Sequence, residues 1–189
     1  MHVNLLSVPP EQLDSSVPEE RTYGEDRTGP ARYEKTGYMH EQATRPQTLG
    51  FGMMDSPVGA AAWILEKFQA WSDLAGGRLD SVYSKDQLLD NVMLHVATRT
   101  FNTATWMYRG SYLEGHGFRG RLEVPVGYAR FPKEIGALVP RSAFQRLHNL
   151  VRWTEMPRGG HFAAFEQPEL FVAEVREFGR QVDGELNPR

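Results

Sequence analysis

The last third of the chain alternates strand-like and helix-like patterns, and this alternation limits the possible folds more than any other feature. Leu122–Tyr128 is strand-like, Ser142–His148 has the length and spacing of a short helix, and Leu150-Val151-Arg152-Trp153-Thr154 is rich in β-formers. From about Pro168 to Phe178 apolar residues return at helical spacing. A β-α-β-α order implies parallel strands joined by a right-handed crossover, hence an α/β fold. The first residues, Met1–Val8, read as one more strand, closed by Pro9-Pro10. Such a strand must pair with something, because an unpaired edge invites association.

The middle of the chain has a different character. Residues 9–37 are polar and turn-rich, with Gly24, Gly29 and Pro30, and read as a long excursion away from the sheet. Asp55-Ser56-Pro57 then opens a helix whose stripe is Val58, Ala61, Ile64, Leu65, Phe68 and Trp71, stopped by Gly76-Gly77. Ser84-Lys85-Asp86-Gln87 is a capping box ahead of Leu88, Leu89, Val92, Met93 and Val96. A third helical stretch, about Thr103–Leu113, carries Trp106, Met107 and Tyr108. The tryptophans and methionines of this section read as core. The predicted organisation is an all-helical module at 15–115, inserted between 1–14 and 116–182, with a frayed tail at 183–189.

Composition narrows the partners. A chain of 189 residues with 40% hydrophobic content can bury a core. A net charge of −3 gives no electrostatic reason to expect nucleic acid or an anionic membrane. The absence of cysteine removes disulfides, a thiol nucleophile and cysteine-ligated metals. The longest apolar run, Val58–Leu65, is far too short to span a bilayer, and the N-terminus lacks the pattern of a signal peptide. The expectation is a soluble cytoplasmic protein.

Two loops carry candidate chemistry. Phe131-Pro132-Lys133-Glu134 follows the first strand of the β-α-β-α end, and Arg158-Gly159-Gly160-His161 follows the second. Loops at the carboxyl ends of adjacent parallel strands converge on one crevice. There Glu134 can fix the tautomer of His161 and stabilise its charged form, making an acid–base couple. The alternative is a solvated carboxylate beside a structurally satisfied histidine. Acid before histidine is the chain order of α/β-hydrolases, whose nucleophile lies further upstream.

Other patterns are set aside. Gly115-His116-Gly117-Phe118-Arg119-Gly120 has dinucleotide-binding glycines, but it follows a helix and precedes a strand, the reverse of what phosphate binding needs. His40-Glu41 starts like a zinc-protease helix, yet position 44 is Thr44. No Gly-x-Ser-x-Gly elbow occurs, and His2, His95, His116 and His148 lack metal-ligand spacing. No metal or organic cofactor is expected. By periodicity alone, Tyr38 and Tyr108 read as amphipathic packing residues.

Several of these stretches resemble a known family. Gly37-Tyr38-Met39-His40-Glu41-Gln42-Ala43-Thr44-Arg45-Pro46-Gln47-Thr48, Asp55-Ser56-Pro57-Val58-Gly59 leading to Trp63-Ile64-Leu65-Glu66-Lys67-Phe68, Asn91-Val92-Met93-Leu94, and Arg158–Glu169 resemble epoxide hydrolases of the microsomal type. The matches run in order from residue 1 to about 180. The resemblance implies an α/β-hydrolase fold with a helical cap, and an epoxide opened to a vicinal diol through an aspartyl ester. It also implies that His161 is the general base, Glu134 its acidic partner, and Tyr38 and Tyr108 the pair that activates the epoxide oxygen.

The same resemblance marks a departure. The family's nucleophilic aspartate lies in a Gly-Gly-Asp-Trp-Gly-like elbow and its oxyanion hole in a His-Gly-x-Pro-like turn, and neither occurs in the 189 residues. The chain therefore resembles the cap and the C-terminal part of the catalytic domain. The expectation is a truncated or split epoxide hydrolase with little turnover alone, and with self-association or a complementing N-terminal half at the exposed sheet edge. The rival expectation is a non-catalytic binding or interaction protein derived from the same fold.

Overall fold

Three parallel strands, β1 (His2–Val3), β2 (Leu122–Arg130) and β3 (His148–Glu155), form a sheet in the order β1-β2-β3. The structure, a computed structural model, describes residues 1–115 and 121–186. The chain separates into a sheet unit and a helical unit. The sheet unit holds Met1–Gly29, Trp71–Asp73 and the described part of Phe118–Arg189; the helical unit holds Pro30–Ala70 and the described part of Leu74–Gly117.

Alternation along β2 builds the two faces of the sheet. Val126 and Tyr128 pack with Val8, Tyr23, Val139, Ala143 and Phe144. Ala129 packs in a second cluster with Phe131, Met156 and Ala163, against which Leu170 and Phe171 are seated. The first cluster uses α7 (Arg141–Leu147), the connection between β2 and β3, and the second uses α9 (Pro168–Leu186). Gly127 lies in register with His2 and Arg152. A Cβ there would fall 2.6 Å from Phe178 Cδ2 and 3.1 Å from His2 Cδ2, so glycine lets α9 approach the strand. The Arg152 guanidinium donates to both Glu174 oxygens at 2.7 and 2.8 Å, tying α9 to β3.

The helical unit contains α2 (Ala31–Thr44), α3 (Pro46–Asp55), α4 (Pro57–Trp71, whose last residue belongs to the sheet unit), α5 (Lys85–Thr98) and α6 (Phe101–Glu114). Proline opens α3 and α4, where its missing N–H costs nothing. Ser56 caps α4 by accepting from Gly59 N at 3.0 Å. The capping box of α5 is complete: Ser84 Oγ accepts from Gln87 N, and Gln87 Oε1 accepts from Ser84 N. α6 packs on α2 and α3. A Cβ on Gly50 would lie 3.2 Å from Asn102 Cα, and Thr105 Oγ1 donates to Pro46 O at 3.2 Å.

Several expectations need correction. The N-terminal ladder is two residues long, His2–Val3, and not the whole of Met1–Val8. Among the described residues it is paired on one side only, while Val8 leaves the ladder to fill the core. Residues 9–37 are largely helical, with α1 (Pro18–Thr28) inside them. Its Glu20, fully buried, accepts from Arg146 Nη1 and Nη2, Ser142 Oγ and Asp14 N at 2.7–2.8 Å. These partners hold α1 in the sheet unit, so the helical unit starts at Pro30 where residue 15 was expected. The last helix continues from Pro168 past 183, where the tail was expected to begin, as far as Leu186, and a single turn, α8 (Ala163–Glu166), precedes it. Trp106 and Met107 are exposed at 47% and 71%, because α6 turns Phe101 and Thr105 inward instead. The glycine-rich run at 115–120 lies outside the described residues from His116 onward.

Candidate active site

The loop after β2 and the loop after β3 are stitched together by backbone. Lys133 N donates to Gly159 O at 3.1 Å, and Lys133 and Gly160 form an isolated parallel bridge. Phe131, fully buried, anchors the first loop. Gly159 has φ +110°, a conformation that favours glycine, and a Cβ there would sit 2.8 Å from Phe131 Cδ1. A Cβ on Gly160 would meet Trp71 O at 2.6 Å. The Gly-Gly step thus serves close backbone approach at both positions, and delivers His161 to the carboxyl edge of the sheet.

His161 Nδ1 lies 2.6 Å from Glu134 Oε1. The Glu134 side chain is 3% exposed and the His161 side chain 24%. The same Oε1 accepts from Ile135 N at 2.7 Å, while Oε2 is buried with no hydrogen-bond partner among the described residues. The imidazole is therefore the polar side chain that answers a buried carboxylate, and charge-assisted bonds of this kind are short and strong. His161 N donates to Trp71 O at 2.9 Å. The Trp71 and Phe162 rings stand edge-on to the imidazole, with centroids at 5.2 and 5.1 Å. In the tautomer that turns Nδ1–H to the carboxylate, Nε2 presents the basic lone pair, and it can take a proton from water.

A second pair forms within the helical unit. Tyr38 on α2 and Tyr108 on α6 stand edge to face, their ring centroids 5.8 Å apart. Both phenols are half-buried. Burial, and secondarily the neighbouring Tyr108, pushes the Tyr38 phenol up to about 12. Burial also raises Tyr108, partly offset by a side-chain hydrogen bond with Gln42. The ammonium of Lys67 on α4 lies 4.9 Å from the Tyr38 ring centroid, within cation–π range. Two protonated phenols side by side can donate to an oxygen that gains negative charge.

The four residues singled out in the sequence thus form two pairs, one in each unit. Two features of the histidine loop were not singled out. The segment Trp71–Asp73, which reads locally as the end of a helix, belongs to the sheet unit and pairs with the loop. Glu166, 7% exposed, is held by backbone donors of that loop. Its one signal in the sequence is its place four residues after Phe162, where a helix turn can bring it back to the loop. A groove of about 860 Å³ in the sheet unit, lined by Tyr23, Arg130, Arg141, Trp153 and Glu155 among others, contains neither His161 nor Glu134. His2, His95 and His148 lie against aromatic rings, and no group of three potential metal-ligating side chains occurs among the described residues. Nor is any described helix long and apolar enough to cross a membrane.

No family model matches the chain. A protein of Stigmatella aurantiaca, provisionally named an epoxide hydrolase, is 42% identical over 188 residues, 96% of this chain and 41% of the relative. Epoxide hydrolase 1 of Sus scrofa is 39% identical over 155 residues, 76% of this chain and 34% of its own length. Among solved structures, the juvenile hormone epoxide hydrolase of Bombyx mori superposes with a TM-score of 0.74 at 35% identity, covering 82% of this chain and 41% of that one. The Aspergillus niger epoxide hydrolase gives 0.71 at 31% identity, covering 96% and 46%. The chain spans about a third to two-fifths of the length of these curated relatives.

Proposed function

Since the chain is a homologue of part of the epoxide hydrolases of the α/β-hydrolase fold, we propose that it carries the ester-hydrolysing and oxygen-activating groups of such an enzyme. In the proposed reaction a carboxylate attacks one epoxide carbon and the C–O bond opens. The alkoxide takes a proton from the phenol pair, Tyr38 and Tyr108. His161 Nε2 then removes a proton from water, and the hydroxide attacks the ester carbonyl. The ester C–O bond breaks as the carboxyl passes its proton to the departing diol oxygen, and the proton held by the imidazole returns through solvent to the phenolate left on the tyrosine pair. Glu134 orients the imidazole and stabilises its charge while it holds the extra proton. The nucleophilic carboxylate is assigned to chain outside these 189 residues, because no elbow of the family's pattern occurs in them.

The observation that carries this reading is the 2.6 Å contact between a basic ring and a carboxylate that is 3% exposed. Side chains that act as one catalytic unit do not substitute for one another, so the 189 residues alone are expected to turn over little or no epoxide. The test uses a chromogenic epoxide with the chain alone, and with a polypeptide that carries the remaining part of the Stigmatella aurantiaca relative. Turnover only in the mixture supports the assignment. A folded chain that stays inactive in both tubes, yet binds epoxides or a protein partner, would favour a binding module on the same fold.

A further inference from the structure

Four consecutive amides of the histidine loop are all taken by groups outside the sheet ladder. Gly159 N donates to Asp73 Oδ2 at 2.9 Å, and Gly160 N donates to Glu166 Oε2 at 2.8 Å. His161 N donates to Trp71 O at 2.9 Å, and Phe162 N donates to Glu166 Oε1 at 2.9 Å. The Glu166 carboxylate accepts a third backbone donor, Asp73 N, at Oε2 and 2.7 Å. One buried carboxylate therefore grips the chain on both sides of His161, and also grips the segment whose carbonyl holds the amide of His161 itself.

Capping alone does not account for this arrangement. α8 is one turn long, and a cap would need only the N–H groups at its own start. The reach to Gly160 and Asp73 joins two stretches that are 87 residues apart in number, Asp73 and Gly160. Gly160 is tight for the same reason: a Cβ there would lie 3.1 Å from Glu166 Oε1 and 3.0 Å from Asp73 N. Catalytic side chains need support to about 0.5 Å, and a 2.6 Å contact between His161 and Glu134 leaves little slack.

We propose that Glu166 is a positioning residue for His161. Through the amides of Gly160 and Phe162 it sets the ring against Glu134, and through Asp73 N it fixes the Trp71–Asp73 segment as the other side of the clamp. The assignment rests on the reading of His161 as the base. The near-isosteric Glu166→Gln change removes one acceptor oxygen and aims an NH₂ at backbone donors, so part of the grip is lost without a change in volume.

The experiment follows the His161 ring by NMR in the full 189-residue chain labelled with ¹⁵N-histidine. The expected wild-type signal is the Nδ1–H tautomer, lost on Glu134→Gln. In Glu166→Gln the Nε2–H form is expected to rise at least about tenfold, the size of one weakened charge-assisted contact. A folded Glu166→Gln chain with an unmoved tautomer would overturn the positioning role and leave the reading of His161 intact. A wild-type ring indifferent to Glu134→Gln would overturn both. Should Glu166→Gln fail to fold, amide exchange in the wild type decides. Gly160 and Phe162 are expected to exchange at least about tenfold more slowly than exposed Arg158, and free exchange at both would remove the clamp.

Discussion

Glu134 Oε1 and His161 Nδ1 meet at 2.6 Å across 27 residues of chain, and the contact is made by two loops whose backbones are themselves bridged at Lys133 and Gly160. The side-chain pair is thus a consequence of the parallel β2–β3 ladder. Replacing Glu134 by Gln puts a possible donor where the acceptor stood. In the complemented enzyme, ester hydrolysis is expected to slow by roughly 10²–10⁴-fold with adduct formation retained, as read by rapid quench.

Tyr38→Phe and Tyr108→Phe are expected to act on the other half of the reaction. Each removes one preorganised donor, so epoxide opening should slow by roughly 10²–10³-fold while hydrolysis of a formed ester is unchanged. Pre-steady-state adduct formation separates the two steps.

The phenols also give a pH test. The folded pKa of Tyr38, about 12, lies above the ordinary value of 10.0. The native state holds that proton more tightly than the unfolded chain does, so this contribution to stability is intact below about pH 10 and fades between about 10 and 12. A spectroscopic titration of the folded chain should show a late phenolate step that Tyr38→Phe removes.

The buried Glu20 works in the opposite direction. Hydrogen bonding to Arg146, foremost among its causes, holds its carboxyl down to about 2, against 4.5 for a free glutamate. Its contribution is fully present above about pH 4.5 and is lost as pH falls towards 2. Glu20→Gln is expected to lower stability at neutral pH by about 2–3 kcal/mol and to flatten the acid limb, as measured by urea unfolding across that range.

Gly127→Ala probes the seat of α9 on β2. A methyl 2.6 Å from Phe178 Cδ2 forces that ring to move, and a loss of about 1–3 kcal/mol is expected. The double variant Gly127→Ala, Phe178→Leu should recover part of it.

The sequence was most legible where structure is local. The capping box at Ser84 and the prolines of α3 and α4 mark their helices from a few residues each. The juxtaposition of the two loops follows from parallel strands alone. Residues 9–37 read as a turn-rich excursion because what makes them helical is remote: Glu20 finds Arg146 across 126 residues, and Tyr23 finds its core on β2 and α7. No local pattern announces that Trp71–Asp73 belongs with the sheet. Tyr38 and Tyr108 were nominated through the family resemblance, since helical spacing alone does not separate them from packing residues.

The central claim is that His161, set by Glu134, hydrolyses an ester formed elsewhere. It is tested most directly by intact mass spectrometry of the complemented enzyme after mixing with epoxide, comparing the wild-type chain with His161→Gln. The expected result is an adduct of one epoxide mass on the complementing polypeptide, transient with wild type and persistent with His161→Gln. An adduct that decays at the same rate with and without His161 would contradict the claim.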